Sequence, residues 1–325
     1  MKAIVQTEYG SPDVLKLREV DRPVVSDSKV LVRVYATSVH AGDWHLMRGD
    51  PWLVRLMFGL FKPKIQILGT DMAGTVEAIG SKITQFKLGD QVFGDLSECG
   101  FGGFAEYVSV PESALVLKPE NLTFEEAAIV PVSALAALKG LRDVGKIRSG
   151  QQVLINGAAG GVGLFAVQIA KAYGAIVTAV CSSHNTERMR SIGADYILDY
   201  TQKDITQTTK QYDLILDIAA YRSPFDYLPI LKPKGTYVVV GGSIARIFQV
   251  MIFGSLISKL TGWNILPLAS TPNQTDLLAL KSMIESGTIV PIIDRTYNLS
   301  EVPIAIRRLE ERKVCGKIAI RLIQD

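Results

Sequence analysis

The stretch that most narrows the fold is QVLINGAAGGVGLFAVQIAK, residues 152–171. An apolar, β-branched run breaks at a glycine cluster and resumes as an Ala/Leu-rich run, the pattern of a strand, a tight turn and a helix. Gly160, Gly161 and Gly163 let the backbone turn sharply and leave no side chain between the main chain and a ligand lying against it. The helix that follows offers its unpaired N–H groups and the positive end of its dipole to the same spot, which suits a diphosphate. The pattern therefore predicts dinucleotide binding, with Asn156, Ala158, Gly160, Gly161, Val162 and Gly163 at the ligand. A glycine turn with only a packing role is the plainer alternative.

Strands and helices keep alternating downstream. AIVTAVC (175–181), DYILDY (195–200), YDLILDIA (212–219) and GTYVVVGG (235–242) read as strands, and TERMRSIGA (186–194) as a helix. Such alternation predicts βαβ units and a doubly wound parallel sheet. The first 122 residues differ: VLVRVYATSV, AGTVEAIG, DQVFG and FAEYVSV are short strands punctuated by Gly and Pro, as in an irregular all-β barrel. TFEEAAIVPVSALAALKGL (123–141) reads as a helix opened by Thr123. The fold class is therefore α/β plus β, with a β domain over 1–122 and a nucleotide domain over 123–269. The segment 270–325 carries two helices and two strands, and its periodicity does not decide which domain it joins.

The choice of dinucleotide turns on the end of the second strand, where an NAD site usually places an acid. Here the strand runs into CSSHNTERMR, with no acid before Glu187. Ser182, Ser183, Asn185 and Arg188 suit a 2′-phosphate, which predicts NADPH. Ser183 or Asn185 as a helix N-cap is the alternative. Tyr200 falls either beside the adenosine or on an exposed strand edge. Ala219, Gly241, Gly242 and Ser243 lie at strand carboxyl ends, where small residues let a nicotinamide rest against backbone.

Composition excludes several classes. With 48% hydrophobic and 21% charged residues the chain is ordinary for a packed globular protein, and a net charge of +3 gives no nucleic-acid footprint. Cys99, Cys181 and Cys315 form no CxxC pair, and the start MKAIVQTEYG resembles no targeting segment, so a cytoplasmic protein is expected. IFQVMIFGSLISKL (247–260) is apolar but interrupted and too short to span a bilayer, and reads as a lid, core or subunit contact in preference to membrane attachment; no stable membrane insertion is expected.

The run GQQVLINGAAGGVGLFAVQIAK, with LGTDMAGTVEAIG, LGDQVFG, GGFAEYVSVPE and GKIAI, resembles the medium-chain dehydrogenase/reductases, in their zinc-independent quinone oxidoreductase (zeta-crystallin-like) branch. The resemblance spans essentially the whole chain. It implies a GroES-like barrel domain, a Rossmann domain, and a C-terminal segment rejoining the barrel. It also implies NADPH-dependent reduction of quinones or of enone and alkenal double bonds, a small lipophilic carbonyl or quinone as substrate, and a possible homodimer. Lys317 joins the cofactor residues by this resemblance, and Trp44, Trp52 and Met57 the substrate pocket.

Zinc relatives hold their catalytic metal with three side chains. The corresponding positions here are His40, Thr70 and Val132, so no zinc is expected, and a site built from His40, Asp71 and His45 matches no standard motif. Vacant ligand positions disfavour alcohol oxidation, which relies on a Lewis acid, and leave conjugated acceptors as the easier substrates. The branch usually has Asn where His40 stands, so His40 is a candidate carbonyl or cofactor contact, and His45 a candidate proton donor. A structural histidine is the alternative for His40 and a surface one for His45; Asp43 is expected to cap the next helix. Ala136 replaces a common Thr, at a cost of about 1 kcal/mol in one cofactor contact. Two other functions remain open at this point: alcohol or aldehyde oxidoreduction, and NADPH binding in the service of a partner.

Overall fold

The computed structural model describes residues 1–269 and 271–323; Ser270, Gln324 and Asp325, at the ends of the expected C-terminal segment, lie outside the described residues. The chain forms two compact units. One comprises Met1–Val132, Thr271–Gly287 and Pro291–Asp325, the other Ser133–Ser270 and Thr288–Val290.

In the first unit β1 (Lys2–Val5) and β2 (Lys16–Glu19) pair antiparallel. A larger sheet is built on β3 (Lys29–Val39), β4 (Asp71–Ile79), β5 (Gln91–Asp95), β6 (Tyr107–Pro111) and β7 (Leu115–Leu117). The alternation of β3 points Val30, Val32 and Val34 into a core with Val92, Val110 and Leu115. Two short helices, α1 (Ala41–Arg48) and α2 (Leu53–Phe58), fill the connection from β3 to β4.

The helix expected over 123–141 is broken. Thr123 opens α3 (Phe124–Ala128) with a capping box to Glu126, but α4 (Pro131–Lys139) starts afresh. Pro131 has no N–H to continue the ladder and disfavours helical geometry in the residue before it, so the run divides there.

The second unit carries β8 (Gln152–Asn156), α5 (Gly161–Ala172), β9 (Ile176–Cys181), α6 (Thr186–Ser191), β10 (Tyr196–Asp199), β11 (Tyr212–Asp217), β12 (Leu231–Val239), α7 (Ile244–Thr261) and β13 (Asn264–Pro267). All its strands are parallel, in the order β10-β9-β8-β11-β12-β13. Strand order reverses between β8 and β11, the place where open parallel sheets hold ligands at their carboxyl ends. Leu154, Ile215, Tyr237 and Val239 form the core beneath.

The C-terminal ambiguity resolves. After α8 (Gln274–Glu285), the chain makes β14 (Ile293–Asn298), α9 (Val302–Glu310) and β15 (Lys317–Arg321). β15 pairs antiparallel with β3, Ile318 opposite Val39, so the end of the chain rejoins the first sheet in the order β14-β15-β3-β4-β5-β7. Among the described residues, no helix is long and apolar enough to cross a membrane.

Candidate functional site

The glycine turn lies at the strand reversal of the second unit. Gly157 has φ +81°, a conformation that costs other residues strain. A Cβ on Gly163 would stand 2.2 Å from the Gly157 carbonyl oxygen and 2.5 Å from that of Ala158, so helix and turn close only around hydrogen. Gly160, in contrast, would bring a Cβ no nearer than 3.5 Å to anything, so its backbone faces open space. It is also the N-cap of α5 and puts no side chain over the first N–H groups. A helix end without a side-chain cap beside a turn of Gly and Ala fits the diphosphate of a dinucleotide. Gly163→Ala is expected to cost about 1–3 kcal/mol of stability through overpacking and to weaken dinucleotide binding; thermal unfolding together with nucleotide titration by tryptophan fluorescence checks both.

Below the turn sits a buried polar cluster that the sequence did not disclose. The Asn156 amide donates to Asp217 Oδ1 (2.8 Å), Tyr227 Oη (3.0 Å) and the Ala219 carbonyl (3.2 Å), and Tyr237 donates to Asp217 Oδ2 (2.6 Å). The Asn156 amide thus points into the fold and braces the turn from beneath. Burial pushes the Asp217 carboxyl up to about 6, against the pull of its donors, and both tyrosines are pushed up by burial and by that carboxylate.

The adjoining strand ends bring together the other predicted nucleotide residues. Ala220 bridges to Gly242, Ser243 N–H donates to the Ala220 carbonyl (3.0 Å), and Gly242 has φ +105°, so Ala219, Gly241, Gly242 and Ser243 form one backbone-lined patch. After β9, Asn185 donates to Ser182 Oγ (3.1 Å), and Asn185 makes no side-chain cap to α6. Ser183 Oγ donates to Asp199, from the end of β10. Hydrogen bonds from Ser183 and Thr201 hold the Asp199 carboxyl below its ordinary value, so an anion stands beside the residues expected to meet a 2′-phosphate. Tyr200 is 60% exposed, with its N–H on the Cys181 carbonyl (3.2 Å).

The histidines belong to the first unit. His40 is the N-cap of α1, and its Nδ1 accepts from the Gly42 N–H at 2.9 Å. A neutral imidazole that accepts at Nδ1 carries its proton on Nε2, which here contacts Thr70 Oγ1. His40 thus holds the start of α1, and Thr70, a vacant metal position in sequence, becomes its partner. Asp43 caps from inside the helix: its Oδ2 accepts from the His40 N–H (3.0 Å) and its Oδ1 from the Gly69 N–H (3.1 Å). His45 is the reverse case: Nδ1 donates to the Asp50 carbonyl (2.9 Å), which leaves Nε2 bare in the neutral ring. It can release a proton from Nε2 only in its cationic form.

A second buried network surrounds Thr70. Asp71 accepts from Ser38 Oγ, from the Val132 N–H (2.8 Å) and from Lys317 Nζ (3.1 Å), and Lys317 also reaches the Val39 carbonyl (3.4 Å). Lys317, expected at the cofactor, is here the 4% exposed counter-ion of a 0% exposed carboxylate. A buried carboxylate requires such a cation, and the ammonium is committed to it. Burial pushes the Asp43 and Asp95 carboxyls up, and the Asp71 carboxylate adds to the effect on both. With its oxygens taken by donors, Asp71 is poorly set to ligate a metal; among the described residues no group of three or more His, Cys, Asp or Glu could hold one.

The expected substrate residues separate. Trp44 is half-buried against the core that includes Leu46 and Phe104, and its Nε1 is buried without a partner. Trp52 and Met57 are 60% and 74% exposed on and beside α2.

Two family models match the chain, one described as Alcohol dehydrogenase GroES-like domain over residues 26–120, the other as Zinc-binding dehydrogenase over 192–320. A 2-methylene-furan-3-one reductase of Solanum lycopersicum is 32% identical over 99% of this chain and 79% of its own length. An NADPH-dependent alkenal/one oxidoreductase, chloroplastic, of Arabidopsis thaliana is 31% identical over 98% of this chain and 79% of its own length. Among solved structures, the quinone oxidoreductase of Coxiella burnetii matches with a TM-score of 0.88 at 26% identity, covering 99% of both chains.

Proposed function

The chain belongs to the medium-chain dehydrogenase/reductase superfamily, and from that premise we propose that this oxidoreductase uses NADPH to reduce a quinone or the double bond of an α,β-unsaturated carbonyl. The observation that carries the reading is the turn at Gly157–Gly163, whose glycines and helix end without a side-chain cap suit the diphosphate of a dinucleotide. When bound, the nicotinamide supplies a hydride to an electron-poor carbon. The electron pair of the double bond then moves to the acceptor's carbonyl oxygen, and the other carbon takes up a proton.

The protein's share is to place the acceptor, exclude water and satisfy the developing oxyanion. We assign the oxyanion contact to the His40–Thr70 pair, whose shared Nε2 proton leaves the Thr70 hydroxyl hydrogen able to donate onward. His45 supplies the proton, released from Nε2. Ser182, Asn185 and Arg188 recognise the 2′-phosphate, against the opposing charge of Asp199. Cys99, Cys181 and Cys315 form no disulfide, which suits a reducing compartment, the cytoplasm in our reading.

The test is NADPH oxidation followed by absorbance with a panel of quinones, enones, alkenals and simple aldehydes. Turnover of the conjugated acceptors is expected, with NADH a weaker donor, and His40→Ala is expected to lower kcat/KM by at least about tenfold. Binding of NADPH without turnover of any acceptor would overturn the enzymatic assignment, and equal NADH and NADPH affinities the assignment of Ser182, Asn185 and Arg188.

A further inference from the structure

The apolar stretch 247–260 forms most of α7, and only one side of that helix is covered. Val250 lies in the core with Tyr237, Val239 and Ile265. A Cβ on Gly254 would stand 2.5 Å from the Ile265 carbonyl oxygen, and Ser258 Oγ accepts from the Ile265 N–H (3.0 Å), so this side is fastened to β13. The other side is bare: Phe248, Met251, Ile252, Phe253, Leu256 and Leu260 are between 39% and 76% exposed. An apolar face of this size on one helix marks an interaction surface.

Charge selects the partner. The helix carries Arg246 and Lys259 and no acid, and no Asp or Glu occurs anywhere from Tyr227 to Thr275. Lys259 is exposed, next to Leu260, one turn from Leu256 and two turns from Ile252, so it stands within the apolar face itself. A second copy docked on this face would bring matching cations and no carboxylate from its own α7, and would bury Lys259 against them. A phospholipid surface resolves both features: the apolar side chains enter the acyl boundary, and the ammonium extends along them to the phosphates.

We infer that the outer face of α7 binds an anionic phospholipid surface, lying in its interfacial layer, with Lys259 at lipid phosphates. The helix rests on the bilayer and does not cross it, because its inner side stays on the sheet. The inference stands on α7 alone and holds for any acceptor.

Sedimentation of the full chain with vesicles tests it. Binding is expected to phosphatidylcholine vesicles carrying about 30% phosphatidylglycerol, and weaker binding to phosphatidylcholine alone. Ile252→Glu with Leu256→Glu should abolish it, and Lys259→Glu should weaken it about tenfold or more, with unchanged thermal unfolding. If the double variant fails to fold, Met251→Trp in the otherwise native chain gives the second measurement: its emission should be quenched by brominated acyl chains. Wild-type protein that stays in the supernatant with both vesicles would overturn the inference. So would a native dimer that the double variant converts to monomer, which gives the face to a second copy.

Discussion

Replacing Lys317 by methionine is expected to destabilise the first unit by about 3–5 kcal/mol, the cost of leaving a buried carboxylate without its cation. Asp71 is 0% exposed and Lys317 4% exposed, so water cannot take over the ammonium's role. The nearby acids make matters worse: the Asp71 carboxylate already pushes Asp43 and Asp95 up, and the Lys317 ammonium is a cation that pulls Asp43 back down. Adding Asp71→Asn to the same chain should recover much of the loss, because the amide needs no counter-ion. Urea unfolding followed by Trp44 emission checks this as a double-mutant cycle. A single variant as stable as the native chain would show that the pair contributes nothing.

The second large effect is a pH dependence seated on Asp217. Its carboxyl is pushed from 3.8 up to about 6 by burial. The folded chain therefore binds that proton more readily than the unfolded chain does. The resulting stabilisation is complete below about pH 4 and is lost as pH rises through 6, amounting to about 3 kcal/mol across that window. Asp217→Asn keeps an acceptor for Asn156 and lets the Tyr237 hydroxyl turn to accept in its place, so this component should disappear. Relative to the native chain, the variant should gain stability between pH 4 and pH 7. Parallel stability profiles for the two chains would refute the assignment.

Legibility in the sequence followed distance along the chain. The turn at Gly157–Gly163 and its helix were readable because most of the constraint is local: Gly160 and Gly163 answer to backbone a few residues away, although Gly157 also meets Ala219. The strands β3 to β6 of the first unit were readable from short apolar runs between turn signals, whereas β2 and β7, only four and three residues long, were not. The break at Pro131 carried a readable signal, since proline begins a helix more readily than it continues one. The Lys317–Asp71 pair had none, because its partners lie on β15 and β4 and meet only when the chain end returns to β3. Asp199 escaped the nucleotide argument similarly: the search for an acid ran along β9, and the acid arrives from the end of β10. His40 and His45 were visible as residues, but their opposite tautomers follow from Gly42 and the Asp50 carbonyl, which only the folded backbone sets.

The central claim, hydride delivery from a reduced nicotinamide to a conjugated acceptor, is tested most directly with NADPH carrying deuterium at C4 in the transferred position. With an alkenal as acceptor, mass and NMR analysis of the product is predicted to place the deuterium on the β-carbon, with solvent hydrogen at the α-carbon. A saturated aldehyde with solvent hydrogen at the β-carbon, or an unreacted double bond beside a deuterated alcohol carbon, would contradict it.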